Sequence, residues 1–374
     1  MAIDKITSAA ITDSAVTSGK IASGVLPINF RNLLINGDMS LAQRAASKAS
    51  ISSGNTTHTC DQWKTYISSA GTWTQTQEAL TSGEAYEDGF VNSLKMDCTT
   101  ANGSLSSGSY LIIAQSIEAQ FCTTIKKGTS GAEQLTVSFW VKSTKTGTNI
   151  VQFVNLDNTV RICAKSYTIN SSDTWEKKTL TIPADTSSTG KIANDNGEGL
   201  RMIFWIAAGT NFTSGTLATT WQNTNNPDRA VGQVNNADST SNNFEITGVQ
   251  LETGTSASDF EFLPVDVNLK RCQRYYETNF IFFGIVCSDT TARAIGHCRF
   301  MTPKRANPTV GQVSGSSADI DFAFAGNSSF NTSFESSSTE GFRVYGDSLS
   351  PTRTIGTNGY WKHSNASIKA DSEI

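Results

Sequence analysis

The sequence predicts an all-β protein, and three observations carry that prediction. Ser, Thr, Asn and Gly interrupt nearly every apolar run, which is typical of short strands joined by turns. Several segments alternate apolar and polar residues, whereas the spacing of an amphipathic helix is nearly absent. At 374 residues, the chain is also longer than one typical domain. We therefore expect an extended N-terminal segment at residues 1–29 and two β-sandwich units, at residues 30–270 and 271–374.

The N-terminal segment repeats with a period of five. One β-branched apolar residue recurs in each repeat, at Ile6, Ile11, Val16 and Ile21. A period of five fits neither the 3.6 residues of a helical turn nor the two of a half-buried strand. A single copy has too little apolar surface to offset the entropy of ordering its backbone. The repeat therefore predicts a stalk in which several chains wrap together, and the alternative is a flexible low-complexity tail.

The following unit contains three clear strand patterns. Val137, Phe139 and Val141 alternate with polar neighbours, as expected for a strand with one buried face. Met202–Ala208 is apolar on both faces, which predicts a central strand of a sandwich. The segment 243–252 supplies core candidates at alternate positions around a glycine. Trp140 falls on the opposite face from Phe139, where it would stack on a sugar ring or pack against another subunit.

Three motifs carry a resemblance to a known family. They are NLLINGDM at residues 32–39 with QR at 43–44, DQW at 61–63, and ITGVQLE at 246–252 with KRCQRYYE at 270–277. Together they resemble the jelly-roll module of bacteriophage tail-fibre and receptor-binding proteins, particularly those of marine and cyanobacterial phages. That module is similar in architecture to carbohydrate-binding modules that open with an Asn-Leu-x-x-Asn-Gly run. The resemblance covers roughly residues 30–277 and implies a jelly-roll for residues 30–270.

The resemblance also implies a function, and the repeat and the final residues Ala370–Ile374 are similar to phage fibre proteins as well. It implies a non-enzymatic virion fibre that attaches the phage to its host by binding surface polysaccharide. The fibre would be a homotrimer, assembled in the bacterial cytoplasm and joined to a phage tail or capsid protein through its N-terminal segment. The alternatives are a capsid-decorating head fibre and a polysaccharide-degrading tailspike.

Related carbohydrate-binding modules hold a structural calcium ion between their opening and closing strands. Asp38 and Glu252 occupy about those places in this sequence, whereas Ser40 stands where an acidic ligand is common. Calcium takes six or more oxygen ligands, and the sequence offers only these two side chains. The resemblance therefore implies a calcium site at Asp38 and Glu252 that the serine has weakened, and no other cofactor is expected.

Charge and cysteine content exclude several classes of protein. A net charge of −4 and no basic stripe argue against nucleic-acid binding. The one basic cluster, Lys270–Arg274, is interpreted as a solvated turn between the two units. No apolar run is long enough to cross a membrane, so no membrane insertion is expected. The seven cysteines are widely spaced, which predicts buried free thiols.

The sequence contains no arrangement typical of an active site. There is no GxSxG, HExxH or phosphate-binding glycine loop. Acidic residues do cluster at Glu84, Glu87 and Asp88, and again at Asp319 and Asp321, and paired carboxylates can cleave glycosidic bonds. In turn-rich β proteins such clusters are more often solvated loops. We therefore expect a protein that is not an enzyme.

Near the C-terminus, aromatic residues lie among Gly, Asn and Ser. These are Tyr345, Tyr360, Trp361 and His363, and we expect them in loops at the free end of the second unit. Aromatic rings stack on the C–H faces of pyranose sugars, while amides bond the hydroxyl groups. The four residues are therefore the predicted glycan-binding site. The alternative is that Trp361 plugs the last strand into its own core.

Overall fold

The computed structural model describes residues 30–278, 281–287, 294–312, 320–323, 331–336, 338–347, 358–363 and 368–373. The predicted stalk, with Ile6, Ile11, Val16 and Ile21, lies outside these residues. Strands account for nearly all the regular structure, and every strand pair in the described segments is antiparallel. The all-β prediction is confirmed.

A sandwich of two sheets occupies most of the described residues. The strands of sheet A are β1 Ser47–Ile51, β4 Thr72–Ala79, β5 Asn92–Thr100, β7 Leu135–Ser143, β10 Glu176–Ile182 and β13 Asn243–Thr253. Those of sheet B are β2 Thr56–His58, β3 Lys64–Ser68, β6 Tyr110–Glu118, β8 Gly147–Asn155, β9 Arg161–Ile169, β11 Glu198–Ala208 and β12 Gln222–Asn223. Their spatial orders are β1-β4-β5-β13-β7-β10 and β12-β9-β8-β11-β6-β3-β2. The consecutive strands β1 and β2 thus lie at the edges of different sheets.

The main core lies between the two sheets, where alternate side chains of facing strands meet. Val137, Phe139 and Val141 of β7 are fully buried there, as the alternation predicts. Phe139 packs edge-on against Phe204 of β11, with ring centroids 5.0 Å apart. The prediction for β11 is also confirmed, because this strand lies in the middle of sheet B and is buried on both faces. Removing this apolar surface from water is the main favourable term in folding.

Strand β13 contains a bulge at its glycine. Gly248 has a φ of +60° there, and the pairing with β7 shifts register between Thr247 and Gln250. A Cβ atom at position 248 would lie 2.6 Å from the ring of Phe90. Only glycine meets both requirements, because it adopts positive φ freely and leaves room for the ring.

Helices are few and short in the described residues. The α-helices are α1 Glu84–Glu87, α2 Thr210–Thr213 and α3 Val265–Gln273, and the 3₁₀ helices are Ala119–Ile125, Ser188–Gly190 and Asn226–Asp228. Helix α3 corrects one interpretation, because the basic cluster Lys270–Arg274 is its last turn and C-cap, and not a solvated turn. Cys272 and Gln273 are buried, and Arg274 is half-buried. Cations suit a helix C-terminus, where the carbonyl dipoles point outward.

Two further antiparallel sheets follow α3. Their strands are β14 Tyr276–Glu277, β15 Ile281–Cys287, β16 Ala294–Arg299, β17 Thr309–Gln312, β18 Ile320–Ala323, β19 Asn331–Ser336, β20 Gly341–Asp347, β21 Asn358–His363 and β22 Ile368–Asp371. One sheet has the order β14-β22-β17 and the other β18-β21-β15-β16-β20-β19. The smaller sheet therefore pairs the strand that leaves α3 with the strand at the end of the chain.

Six of the cysteines have side chains that the structure describes, and all six are buried free thiols, as predicted. Burial raises the pKa of Cys122 and of Cys163 to about 12, so both stay protonated at neutral pH. Cys287 lies in β15, and its side chain is outside the described set. Within the described residues, no helix has the length and apolarity needed to cross a bilayer.

Candidate functional site

The four predicted glycan-binding residues lie in strands, so the expectation of loops is wrong. Tyr345 belongs to β20 and pairs with Ile295 and Ser333 on either side. Tyr360, Trp361 and His363 belong to β21, which pairs with β18. Gly, Asn and Ser surround these residues but do not interrupt the pairing. Their side chains lie outside the described set, so the glycan-binding role stays a prediction.

The two predicted calcium ligands have different partners in the structure. Asp38 Oδ1 accepts hydrogen bonds from Ser40 Oγ at 3.0 Å and from Asn268 Nδ2 at 3.4 Å. The carboxylate of Glu252 accepts from the backbone and hydroxyl of Ser258, at 2.9 and 2.7 Å. Among the described side chains, no three His, Cys, Asp or Glu residues converge as a metal site. Calcium takes six or more oxygen ligands, which include backbone and amide oxygens as well as carboxylates, and the calcium site stays a prediction.

Trp140 points away from the main core, as its position in the strand predicts, but it is not available to a sugar or a subunit. Only 6% of its surface is exposed, because it packs in a second cluster with Phe90 and Trp175. Its indole Nε1 donates to Asp88 Oδ2 at 3.2 Å. Helix α1, the loop after it and Trp175 before β10 supply this cover. Both functions expected for an outward Trp140 are therefore wrong.

The opening motif, at residues 32–39, is hydrogen-bonded to β13, the last strand of the sandwich. Asn32 Oδ1 accepts from the backbone of Leu251 at 3.0 Å, and its Nδ2 donates to Val249 O at 3.1 Å. The next loop passes so close that a Cβ atom on Gly37 would lie 2.1 Å from Val249 O. Gly37 is thus needed for a close backbone contact, because a side chain there would clash with the carbonyl of Val249.

The DQW motif completes this joint from the other side. Trp63 is fully buried, and its Nε1 donates to Asn36 O at 3.0 Å. The amide of Asn36 in turn donates to Asp61 O at 3.0 Å, and Gln43 Nε2 donates to Asp61 Oδ2 at 2.7 Å. The motifs that carry the family resemblance therefore have structural roles. They also place Arg44, the residue after Gln43, at the edge of the sandwich.

Arg44 connects the sandwich to the end of the chain. Its Nη2 lies 3.3 Å from Asp371 Oδ2 and 3.0 Å from Glu373 Oε1. Its guanidinium also stacks over the ring of Tyr276, 3.7 Å from the centroid. A planar cation on an aromatic face, bound to two carboxylates, is held in one orientation. Residues 371–373 are thereby fixed beside the sandwich.

A cleft of about 420 Å³ opens at this joint. Strands β1 to β3, the loop at Arg44 and the chain end supply its walls, which consist of Arg44, Ala45, Lys48, Thr56, Thr57, His58, Lys64, Asp371 and Glu373. A smaller depression, of about 10 Å³, shares His58, Lys64 and Glu373 with it and reaches Tyr66 on the outer face of sheet B. The cleft and the depression adjoin at these shared residues and are together called the groove, with the ring of Tyr66 at the end away from the cleft.

The ring of Tyr66 lies among charged groups. It is half-buried, with Lys64 Nζ 4.9 Å and the guanidinium of Arg201 5.9 Å from its centroid. Arg201 is held by a bidentate ion pair with Glu198, at 2.7 and 2.6 Å, and Glu198 also accepts from Ser116. Both cations lie over the ring, so a pyranose could stack on Tyr66 where the flexible Lys64 side chain moves aside, with the fixed polar groups beside it to bond the hydroxyl groups.

Two groups in the groove have shifted pKa values. Burial, together with the positive charges of Arg44 and Lys64, lowers the pKa of His58 well below 6.5, so the imidazole is neutral at pH 7. Burial raises the pKa of Glu373 from 4.5; Asp371 adds to this shift, and Arg44 opposes it. At neutral pH, the groove therefore presents lysines, hydroxyl groups and a neutral imidazole on the sandwich side and the ion-paired carboxylates on the other.

The groove was not predicted from the sequence, although Arg44 belongs to the opening motif. The structure places His58 at the groove and the buried thiol of Cys60 in the core. The terminal residues were noted only for their likeness to phage fibres. The sequence does contain one signal for the groove. Arg44, Lys48 and Lys64 are cations before and after the DQW motif, and no local structural role requires these three side chains.

Comparison with known proteins gives only distant likenesses. No family model matches the chain, and no curated protein is a significant match. The solved structures similar to it include the enzymatically active domain of tailspike protein 4 from bacteriophage CBA120, at 12% identity and a TM-score of 0.31. That alignment covers 60% of this chain and 22% of the tailspike chain, so the chain spans about a fifth of that structure.

Two other solved structures show the same level of similarity. A putative sugar-binding protein from Bacteroides thetaiotaomicron is 14% identical over 60% of this chain and 100% of its own, with a TM-score of 0.31. The tripod from the baseplate of bacteriophage Tuc2009 is 12% identical over 76% of this chain and 81% of its own, with a TM-score of 0.24. These sequence identities and TM-scores are too low to assign a function to this chain.

Proposed function

We propose that the chain is a non-enzymatic virion fibre protein that attaches a phage to its host by binding surface glycan. The observation that supports this most directly is the polar groove ending at Tyr66. Its cleft of about 420 Å³ has enough volume for a sugar residue and is lined by hydrogen-bonding groups, and the half-buried ring of Tyr66 lies in the adjoining depression. The family resemblance of the opening and closing motifs supplies the virion context, including the marine or cyanobacterial type of phage.

Hydrolysis is the alternative that the groove itself suggests. Burial raises the pKa of Glu373 next to Asp371, and a raised pKa is a property of carboxyl groups that act as general acids. A glycosidase, however, places the scissile bond between its two carboxyl groups. Here Arg44 Nη2 lies between them and contacts both. That arrangement favours binding without cleavage, and an assay for new reducing ends on host polysaccharide would detect any turnover.

Replacing Tyr66 by Ala should weaken glycan binding. We expect a loss of at least tenfold in affinity for host surface polysaccharide, because one central aromatic contact contributes on the order of 2 kcal/mol. Isothermal titration with oligosaccharides cut from that polysaccharide would measure it. Tyr86→Ala is the matched control, since Tyr86 is 43% exposed on α1, which packs against sheet A. Equal binding by both variants would contradict the assignment.

The C-terminal strands offer a competing site for the same function. Tyr345, Tyr360, Trp361 and His363 remain predicted glycan contacts, with Trp361 as the stacking ring. Adsorption of phage carrying Trp361→Ala, compared with phage carrying Tyr66→Ala, separates the two sites. If only the Trp361→Ala phage fails to adsorb, glycan binding belongs to the C-terminal strands and the groove assignment is wrong.

We further propose that the chain forms a homotrimer through the stalk. Support comes from the period-five repeat, because its sparse apolar residues can be buried only between chains. Replacing Ile11 and Val16 by Asp should abolish the trimer while leaving residues 30–374 folded. Sedimentation would measure the mass, and circular dichroism would verify the fold. A wild-type protein that sediments as a monomer at micromolar concentration would contradict the proposal.

The position of the fibre on the particle has two candidates, the tail and the capsid surface. The N-terminal segment would attach to a tail or capsid protein in either case. Imaging of whole particles, with an antibody against the sandwich, would separate the two. Labelling confined to the head would replace the tail fibre by a capsid-decorating head fibre.

A further inference from the structure

We propose that the groove takes a negatively charged sugar, with its acidic group bound between Lys48 and Lys64. This inference rests on the proposed glycan-binding function and adds the chemical class of the ligand. The class meant here is a saccharide carrying a carboxylate, sulfate or phosphate group. The juxtaposition that supports it is the meeting of two lysines from different sheets in the cleft of about 420 Å³.

The charges of the cleft are not balanced within the described structure. Asp371 and Glu373 are the acidic groups of its wall, and both form ion pairs with Arg44. Lys48 and Lys64 have no ion-pair partner among the described residues. The wall therefore carries three cations against two carboxylates, an excess of one positive charge, and Lys48 and Lys64 are the cations free to bind an anionic ligand, whereas a cationic ligand would have to compete with Arg44 for the carboxylates.

The fold requires neither lysine at its position. Lys48 is exposed on β1 at the edge of sheet A, and Lys64 opens β3 near the edge of sheet B. Solvent-facing edge positions accept any polar residue, and charges there discourage edge-to-edge pairing. That general role explains Lys48 on the edge strand β1, but neither Lys64, on the strand next to the edge, nor the convergence of both lysines on one cleft, next to Arg44 and the neutral His58.

The rest of the groove suits the remainder of a sugar. Thr56 and Thr57 supply hydroxyl groups on the short strand between the lysines, and each can donate or accept a hydrogen bond. His58 is neutral, so its imidazole carries one donor and one acceptor for sugar hydroxyl groups. Tyr66 lies farther along the groove, within 4.9 Å of Lys64 Nζ. An acidic residue at the lysines would thus leave its neighbour in the saccharide near the ring.

The experiment uses the full-length chain and oligosaccharide pairs that differ only in charge. Suitable pairs are oligogalacturonate with its methyl ester, and sulfated with unsulfated cello-oligosaccharide, titrated at low and at physiological salt. We expect the acidic member of at least one pair to bind about tenfold tighter, with the preference falling as salt rises. Lys48→Gln combined with Lys64→Gln should remove the preference. Lys126→Gln combined with Lys177→Gln is the matched control, because both of those lysines are exposed and distant in sequence from the cleft.

The outcomes separate this inference from the proposed function. Equal binding of acidic and neutral members, lost in Tyr66→Ala, would overturn the anionic assignment and leave glycan binding intact. A preference that survives in the Lys48 and Lys64 variant would also overturn it. Inorganic phosphate that binds as tightly as the acidic oligosaccharide would replace a sugar site by a simple anion site. Binding of no member of any pair would count against the proposed function as well.

Discussion

Replacing Glu118 by Ala should destabilise the protein by about 3–5 kcal/mol, the cost of removing one partner from a buried ion pair. The carboxylate is fully buried at the end of β6. It accepts from Arg274 Nε at 2.7 Å, from Arg274 Nη2 at 2.9 Å and from the hydroxyl of Tyr275 at 2.5 Å. Without it, a guanidinium and a buried hydroxyl group lose their acceptor. Urea unfolding would measure the loss.

The control for this prediction is Glu133→Ala. Glu133 also forms an ion pair, with Lys126 at 2.7 Å, but its side chain is 42% exposed. Exposed pairs contribute about 0–1 kcal/mol, so we expect a small effect. Equal destabilisation by the two variants would mean that the Glu118 contacts do not hold α3 to the sandwich.

The effect of Glu118 should also depend on pH. Burial acts to raise its pKa, but hydrogen bonds from Arg274, Tyr275 and Gln120 outweigh burial and lower the pKa below 4.5. A carboxyl group with a lowered pKa in the folded state stabilises the protein above its unfolded pKa, and that contribution is lost as the pH falls. The difference between wild type and Glu118→Ala should therefore be full at neutral pH and narrow below about pH 4.5.

The second large effect is expected at Lys304. Its ammonium group is fully buried and lies 2.5 Å from Glu277 Oε2, which is fully buried too. Lys304 also donates to the backbone of Gln273 and Thr302. Lys304→Met should cost about 3–5 kcal/mol, because it leaves Glu277 charged and unpaired in the interior. Thermal and urea unfolding would measure it.

A double variant tests whether loss of the buried ion pair causes the effect of Lys304→Met. Combining Lys304→Met with Glu277→Leu removes both charges, and replacing a buried pair by apolar residues of similar volume is often neutral. We expect the double variant to recover most of the stability that Lys304→Met loses. If it is as unstable as the sum of the single variants, the pair is not the source of the effect.

Local patterns in the sequence predicted three of the strands of the sandwich, β7, β11 and β13. The alternation of Val137, Phe139 and Val141 identifies a half-buried strand, because side chains of a strand point to opposite faces in turn. The core candidates of the segment 243–252 were likewise identified on either side of Gly248, but the bulge at this glycine was not predicted and is known from the structure. These features depend on a few consecutive residues and need no knowledge of distant partners.

The sequence did not predict features that depend on contacts between residues far apart in the chain. The cover over Trp140 comes from residues far from it in the chain, Phe90 fifty positions earlier and Trp175 thirty-five positions later. The groove depends on the pairing of Arg44 with Asp371, which are 327 positions apart. A charged residue near the end of a chain is interpreted as solvent-exposed until its ion-pair partner is known. For the same reason, the sequence pointed to the C-terminal aromatic residues and not to Tyr66.

The most direct test of the glycan-binding function is a crystal structure of the protein with an oligosaccharide from the host surface polysaccharide. The sugar should lie in the groove, with one ring against Tyr66 and its acidic group between Lys48 and Lys64. Intact glycosidic bonds after prolonged incubation would accompany binding without cleavage. A sugar bound at the strands of Tyr345 and Trp361, with an empty groove, would contradict the proposed site.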